Sequence, residues 1–267
     1  TFTEQIGISL PGVANGSFEW GDFNNDGFVD LIYSGSSSGN WVTKIYKNDG
    51  NGNFTELQNT GFAVVSSGST EWGDYDNDGY LDVLICGVSS DYNSHAKIYR
   101  NNGDETFTYQ TNVSLTGISN GTGSWGDYNN DGYLDILLVG STWSSQISKI
   151  YRNNGAGSFS EDMSISLPGV GQGSGKWGDF DRDGDLDIII TGKNSGGQKI
   201  TKLYRNEGFT TNQIPTVPTN LNAVVAGRNV TLSWDKATDQ ETNQSGLSYN
   251  LYIGTSPDNF DIHTPHA

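Results

Sequence analysis

Cationic side chains are scarce in this 267-residue sequence: Lys and Arg total 14 against 31 Asp and Glu, for a formal net charge of -17. Gripping a phosphate backbone needs clustered cations, so nucleic acid and anionic membrane surfaces are poor partners. No run approaches the ~18 apolar residues of a spanning helix, and direct membrane insertion is not expected. The first residues, TFTEQIG, hold neither a Met nor a basic-then-apolar leader and read as the start of a processed or excised piece. The single cysteine, Cys86, rules out an intrachain disulfide framework, and its setting in VLIC reads as a buried strand rather than a reactive site. Apolar residues are only 33% of the chain, but 12% of residues are aromatic and 36 are glycine, which fits a turn-rich fold with an aromatic core better than disorder.

What is abundant is periodic. WGDFNNDGFVDLIYSG, WGDYDNDGYLDVLICG, WGDYNNDGYLDILLVG and WGDFDRDGDLDIIITG begin at Trp20, Trp72, Trp125 and Trp177, spaced by 52, 53 and 52 residues. A second marker, KIYKN, KIYRN, KIYRN and KLYRN, keeps the same period through Tyr46, Tyr99, Tyr151 and Tyr204. Within a unit, short β-branched runs such as LDILLVG read as inner strands and KIYRN as a half-exposed neighbour. An NNG or NDG turn then leads to a short FTE, FTY or FSE strand, and a strand ending in WGD precedes them all. Four strands per repeat with no room for a helix predict an all-β fold of propeller blades.

Phe54, Phe107 and Phe159 each follow their repeat tyrosine by eight residues, but position 212 is Asn, so the fourth unit is expected to lack its own last strand. TFTEQ at the N-terminus matches that strand. Two readings stay open: Phe2 to Gln5 pairs with the last blade and closes a ring, or it ends a blade whose earlier strands lie upstream.

The acids of every repeat follow D-x-[DN]-x-D-G-x-x-D. The side chains at positions one, three, five and nine are Asp22, Asn24, Asp26, Asp30; Asp74, Asp76, Asp78, Asp82; Asp127, Asn129, Asp131, Asp135; and Asp179, Asp181, Asp183, Asp187. Hard oxygen ligands at this spacing suit Ca²⁺, completed by the position-seven carbonyls of Phe28, Tyr80, Tyr133 and Asp185 and by water. Position six is Gly27, Gly79, Gly132 or Gly184, where the turn demands a residue without a side chain. A helical calcium sensor would carry Glu at position twelve, but that position is Tyr33, Ile85, Leu138 or Ile190, so the loop opens into a strand. Four calcium sites use fourteen of the 31 acids, and filling them brings the formal charge from -17 to -9. Mg²⁺, with its stricter octahedral shell, fits less well.

Other residues read structurally. The repeat tryptophans belong to blade packing; Trp41 and Trp143 do not recur in every blade and are better candidates for ligand contact. Lys44, Lys47, Lys97, Arg100, Lys149, Arg152, Lys202 and Arg205 recur in register and are expected to form ion pairs on the strand surface. His95 is isolated from other histidines, which argues against zinc. Asn15, Asn53, Asn112, Asn120, Asn229 and Asn243 head glycosylation sequons that matter only where that machinery exists. After Tyr204 the composition changes. The boundaries expected are a propeller over 1–208, a linker over 209–218 containing Pro215 and Pro218, and, over 219–267, three strand-like runs of an incomplete β-sandwich.

WGDYDNDGYLD with downstream KIYRNNG resembles the FG-GAP or VCBS repeats, the calcium-loop blades also seen in integrin α-subunit propellers. The resemblance implies a propeller, commonly of seven blades, with calcium in hairpin loops. PTNLNAVVAGRNVTLSWDKATD and YNLYIGT resemble a fibronectin type III-like module, and the combination is similar to surface or secreted proteins of Bacteroidetes-type bacteria. An extracellular calcium-stabilised scaffold for protein or glycan adhesion follows as the leading expectation, joined to further domains of the same parent chain. The alternatives are an accessory region of a secreted polysaccharide-active enzyme and a purely architectural component. No recurring Ser/His/Asp set, Cys/His pair or HExxH motif supports catalysis by these residues.

Overall fold

The computed structural model describes residues 1–208, 215–226, 229–239, 249 and 251. The chain divides into two units, Thr1–Asn212 and Gln213–Ala267. The first is a four-bladed β-propeller of antiparallel sheets. Blade one holds β1 (Ala14–Gly21), β2 (Asp30–Ser37), β3 (Asn40–Asn48) and β4 (Phe54–Glu56). Blade two holds β5 (Thr70–Gly73), β6 (Asp82–Val88), β7 (Ser94–Asn101) and β8 (Phe107–Tyr109). Blade three holds β9 (Ser119–Gly126), β10 (Asp135–Ser141), β11 (Gln146–Asn153) and β12 (Phe159–Glu161). Blade four holds β13 (Gly171–Gly178), β14 (Asp187–Lys193) and β15 (Lys199–Tyr204), with no fourth strand among the described residues. The short fourth strands pair in one register: Asn48, Asn101 and Asn153 face Phe54, Phe107 and Phe159.

Alternation sends successive residues of each second strand to opposite faces, so every middle strand is apolar on both sides. Phe23, Ile32 and Ile45 of blade one meet Trp72, Val83, Ile85 and Tyr99 of blade two. Tyr75, Leu84 and Ile98 meet Ile136, Leu138 and Tyr151 in the same way, and Tyr128, Leu137 and Ile150 meet Ile188 and Ile190. Three of the four repeat tryptophans stack on the aromatic after the preceding blade's first loop aspartate: Phe23–Trp72, Tyr75–Trp125 and Tyr128–Trp177, with ring centroids 6.0, 6.1 and 5.8 Å apart. The glycine of WG makes room, because a Cβ on Gly21, Gly73 or Gly126 would sit 2.6–2.7 Å from the next blade's indole. Cys86 lies in this core, fully buried.

Blades one and four expose residues whose counterparts in the inner blades are buried. Trp20 is 52% exposed where Trp72 is 8%, and Phe180 is 53% exposed where Phe23, its counterpart, is 1%. Ile189 and Leu203 of blade four are exposed as well. Residues 1–13 form no strand and Phe2 is fully exposed, so in this structure the N-terminal segment does not pair with the last blade.

In the second unit β16 (Thr219–Ala226) and β17 (Asn229–Asp235) form an antiparallel pair. Trp234 lies against Tyr249, ring centroids 5.5 Å apart, and the Tyr249 hydroxyl accepts the Ala237 N–H. Most of the third expected run, LSYNLYIGT, falls outside the described residues.

Candidate metal centres

Each loop runs from the end of a first strand to the start of the second. The position-one carboxylate folds the loop around itself: Asp22 accepts the N–H groups of Asp26 and Gly27 at 3.0 and 2.8 Å, and Asp74 and Asp127 do the same in loops two and three. Asp179 closes the fourth loop, accepting from Arg182, Asp183 and Gly184. The position-five carboxylate accepts the position-seven N–H at 3.0–3.1 Å in all four loops. Gly27, Gly79, Gly132 and Gly184 adopt φ of 85–92°, the left-handed turn that a side chain would strain.

Position nine is the loop's anchor. Asp30, Asp82, Asp135 and Asp187 are buried, and each accepts two backbone N–H groups. One donor is the residue after position one (Phe23, Tyr75, Tyr128, Phe180); the other is the asparagine of the third strand's end (Asn48, Asn101, Asn153, Asn206). Each carboxylate oxygen keeps a second lone pair for another partner.

In loop two, one carboxylate oxygen each from Asp74, Asp76 and Asp78 lie within 4.8 Å of one another, and Asp179, Asp181 and Asp183 match this in loop four. These clusters could hold a divalent cation. Loop electrostatics favour one: burial pushes upward the carboxyls of Asp74 in loop two, Asp127 in loop three and Asp185 in loop four, with neighbouring loop aspartates adding to the effect. Burial likewise raises Asp30 to about 6 and Asp82 and Asp135 to about 8. A carboxylate that is costly to ionise when alone is cheap to ionise beside a divalent ion. The fit is sharpest at Asp76, whose buried Oδ1 has no hydrogen-bond partner while Oδ2 takes the Arg100 guanidinium at 2.6 Å. In loops one and three the position-three oxygens of Asn24 and Asn129 instead accept the position-five N–H.

The recurring cations do form ion pairs, and half of them reach the loops. Arg100 bridges Asp76 and Asp78, Arg152 meets Asp131 at 3.2 Å, and Arg205 spans Asp181 and Asp183. Lys47 sits 3.9 Å from Asp26 and also pairs with Glu105. Lys44 and Lys149 bind Glu56 and Glu161 at 2.7 and 2.8 Å. Lys97 lies over the Tyr109 ring instead, and Lys202 has no acidic partner among the described residues. At position seven the side chains of Phe28, Tyr80 and Tyr133 cover Gly50, Gly103 and Gly155 of the following turn, whereas buried Asp185 accepts from Asn130 at 2.7 Å. Trp143 is 91% exposed, and Trp41 is half-buried, edge-on to Tyr92. His95 Nε2 is 2.7 Å from the Ser89 hydroxyl, but Asp91 contacts that same hydroxyl, so no carboxylate orients the imidazole as a nucleophile's base requires.

Two sets of residues that tie the loops together escape the motif. The third-strand asparagines donate across blades, Asn101 to the Phe23 carbonyl at 2.7 Å, Asn153 to Tyr75 at 2.9 Å and Asn206 to Tyr128 at 2.8 Å. Position four, an unconstrained x in the pattern, is left-handed in every loop: Asn25, Asn77, Asn130 and Arg182 have φ of 55–64°. Asn25 and Asn77 donate to the Gly79 and Gly132 carbonyls of the next loop, at 2.9 and 2.8 Å. The signal was present, since Asn tolerates the left-handed region better than most residues and recurs at three of four position-four sites. On the first strands, Glu19 and Glu71 accept the backbone N–H of Trp72 and Trp125, and Lys176 pairs with Glu71 from two blades away.

A family model described as FG-GAP-like repeat matches three overlapping stretches, residues 22–85, 74–138 and 127–190, each running from the start of one loop into the second strand of the next blade. None of the curated proteins matches the chain.

Proposed function

The chain belongs to the FG-GAP-like repeat family, and from that premise we propose that it is an extracellular propeller, stabilised by calcium, that serves as a protein- or glycan-binding adhesion scaffold. The repeats make a scaffold of the non-catalytic kind. No helix among the described residues is long and apolar enough to cross a membrane.

The observation that carries the metal reading is the pair of three-aspartate clusters, with the buried Asp76 Oδ1 unpartnered. In this reading the side chains at positions one, three, five and nine, with the position-seven carbonyl, hold Ca²⁺ in all four loops. The ion supplies positive charge that offsets the crowded carboxylates and holds the hairpin rigid. The chain's own part is to orient the oxygens: position one through the loop N–H groups, position nine through burial, and the arginines by drawing outer oxygens away from the cluster. Modest affinity suffices outside cells, where calcium is abundant. Rigid blades present variable loops such as that of Trp143, suited to contact with a partner. The second unit acts as a fibronectin-like spacer toward further domains of the parent chain.

Calcium titration by calorimetry, with Asp76→Asn and Asp181→Asn as comparisons, tests the metal; screening glycan and protein panels with calcium and with chelator tests the scaffold. Saturable calcium binding weakened by both substitutions, and binding to a panel member that chelator abolishes, are expected. A melting temperature indifferent to complete calcium removal refutes the metal reading, and a blank panel under both conditions refutes adhesion in favour of a purely architectural role.

A further inference from the structure

Two blade interfaces use the same pair of sequence positions in opposite ways. In blade one Trp41 pairs with Ser36 across the β2–β3 ladder, and its indole meets Tyr92 on the β6–β7 hairpin of blade two, edge to face at 6.5 Å. In blade three the corresponding ladder pair is Gln146 with Ser141, and on the β14–β15 hairpin of blade four the residue corresponding to Tyr92 is Gly197. The two hairpins share one geometry. Ser89 and Asn194 donate their N–H to the carbonyls of Asn93 and Gln198, and Tyr92 and Gly197 donate theirs to the carbonyls of Ser89 and Asn194. Tyr92 and Gly197 are both left-handed, with φ of 64° and 75°. Where one interface has a tryptophan against a tyrosine, the other has an amide and no side chain.

The second interface holds a cavity of about 330 Å³, lined by Ser141 and Gln146 of blade three and by Gln172, Lys193, Asn194 and Gly197 of blade four, among others. Gly171 adds room: blades two and three have Ser66 and Ser119 at its position, and a Cβ there would collide with the Ser141 hydroxyl. The lining consists of amides, hydroxyls, glycines and one cation, with no carboxylate and no apolar side chain, on a chain that carries 31 acids. Gln146 and Gln172 make no side-chain hydrogen bond among the described residues, so their amides can both donate and accept. The hairpin that joins Ser141 to Gln146 is closed by the Thr142 N–H on the Ser145 carbonyl at 2.7 Å, and it carries Trp143, 91% exposed.

This chemistry selects the ligand. An apolar molecule finds no apolar wall in the cavity, and a hard metal ion finds no anionic oxygen. A hydroxyl-covered molecule suits it, because every hydroxyl donates and accepts as the amides do, and the C–H face of a sugar ring suits an exposed indole. The volume lies at the low end of the roughly 300–1,000 Å³ of ligand sites, which fits the end of a sugar chain rather than a large ligand. We infer that the cleft between blades three and four is a glycan site: an oligosaccharide end enters among Gln146, Gln172 and Asn194, and Trp143 stacks on an adjoining ring. β10 runs from its metal loop at Asp135 to the cavity at Ser141, so the site and the loops lie at opposite ends of the strand. The inference rests on the scaffold reading and narrows its partner from protein or glycan to glycan.

The test is an array of neutral hexose, N-acetylhexosamine and uronate oligosaccharides, probed with the full chain in saturating calcium, with calorimetric titration of the members that bind. The double variant Gln146→Trp, Gly197→Tyr rebuilds the aromatic pair of the first interface in a turn that accepts tyrosine there. It should keep the wild-type circular dichroism and weaken binding by at least about thirtyfold. Gln146→Ala and Trp143→Ala should each weaken it by about tenfold, and Trp143, being exposed, separates lost contact from lost fold. Hits confined to uronates and reduced by Lys193→Gln identify an acidic sugar; hits among neutral members that ignore Lys193→Gln identify a neutral one. An array blank for every member overturns the inference, and binding to a protein panel would then leave the scaffold reading standing. Glycan binding that survives both the aromatic pair and Gln146→Ala overturns it, as does protein binding that the aromatic pair abolishes, which would assign the cleft to a protein.

Discussion

Replacing Asn153 with alanine measures what holds one blade to the next. The side chain is fully buried; its Nδ2 donates to the Tyr75 carbonyl of the preceding blade at 2.9 Å and to Leu134 at 3.2 Å, and its Oδ1 accepts the Gly155 N–H at 3.0 Å. Three bonds at about 1 kcal/mol each, plus about 1 kcal/mol for leaving the Tyr75 carbonyl buried without its partner, predict a loss of about 4 kcal/mol. The same substitution at Asn48 is an internal control. Asn48 holds the Val29 carbonyl and the Gly50 N–H within its own blade, makes no cross-blade bond among the described residues, and lies near solvent that can replace both, so about 1 kcal/mol is expected. For a unit of this size 1 kcal/mol shifts the melting temperature by roughly 2–4 °C, giving about 10 °C for Asn153→Ala and about 3 °C for Asn48→Ala. Scanning calorimetry in saturating calcium reads both. Equal shifts would show that the cross-blade bond contributes nothing and that the asparagine matters only to its own turn.

Chelation of calcium should lower the melting temperature and speed proteolysis, with cleavage within the loops at 22–30 and 179–187. Gly126→Ala forces a Cβ to 2.6 Å from Trp177 and should destabilise by about 2 kcal/mol, whereas Gly178→Ala meets open space and should stay within about 0.5 kcal/mol in chemical denaturation. Glu19 has its carboxyl pushed up from 4.5 to about 7, chiefly by burial and further by Glu71, with the Trp72 N–H and Lys176 opposing. The folded state therefore holds this proton more tightly than the unfolded one: the contribution is full below pH 4.5 and is lost as pH rises through 7. In saturating calcium, a series of melts from pH 5 to 8 should show stability falling by about 2 kcal/mol, and Glu19→Gln should flatten that slope. Cys86, fully buried and with its thiol raised by burial, should resist a thiol reagent until the protein unfolds.

Most of the architecture is legible because it repeats. WGD, the acidic loop and KIYRN each mark one strand end, and their common period gives the four repeats and the strand order within each without any coordinates. The clustering of acids in loops two and four is legible too, since the spacing brings positions one, three and five within 4.8 Å of one another. What spacing cannot show is direction across blades. Asn101 and Asn153 end a run that reads as a half-exposed strand, yet their side chains reach into a neighbouring blade at residues 78 positions away. Trp20 and Trp72 share the stretch EWGD, yet Trp72 stacks on Phe23 of another blade and is buried while Trp20 is exposed. Local pattern fixes what a side chain can do; the neighbour decides which part of that is used.

The cross-blade bonds also mean that a loop and its blade interface are one structural element. The position-nine aspartate fixes the N–H of an asparagine whose amide holds the preceding loop, while the position-four asparagine holds the following loop. Among the described residues, loops two and three are thus supported from both sides, loop one by its successor and loop four by its predecessor. Charge runs across this pattern, because loop two carries four aspartates and loop four five, counting Asp185, while loops one and three carry three with an asparagine at position three. Loop four combines the larger repulsion with support from one side, and it has Arg182 where the other loops place the asparagine that reaches onward. Loop three has the smaller repulsion and both neighbours. In an array whose stability is a sum of unit and nearest-neighbour contributions, the cation matters most where contacts are fewest. Stability is therefore expected to depend on the proposed calcium most strongly at blade four.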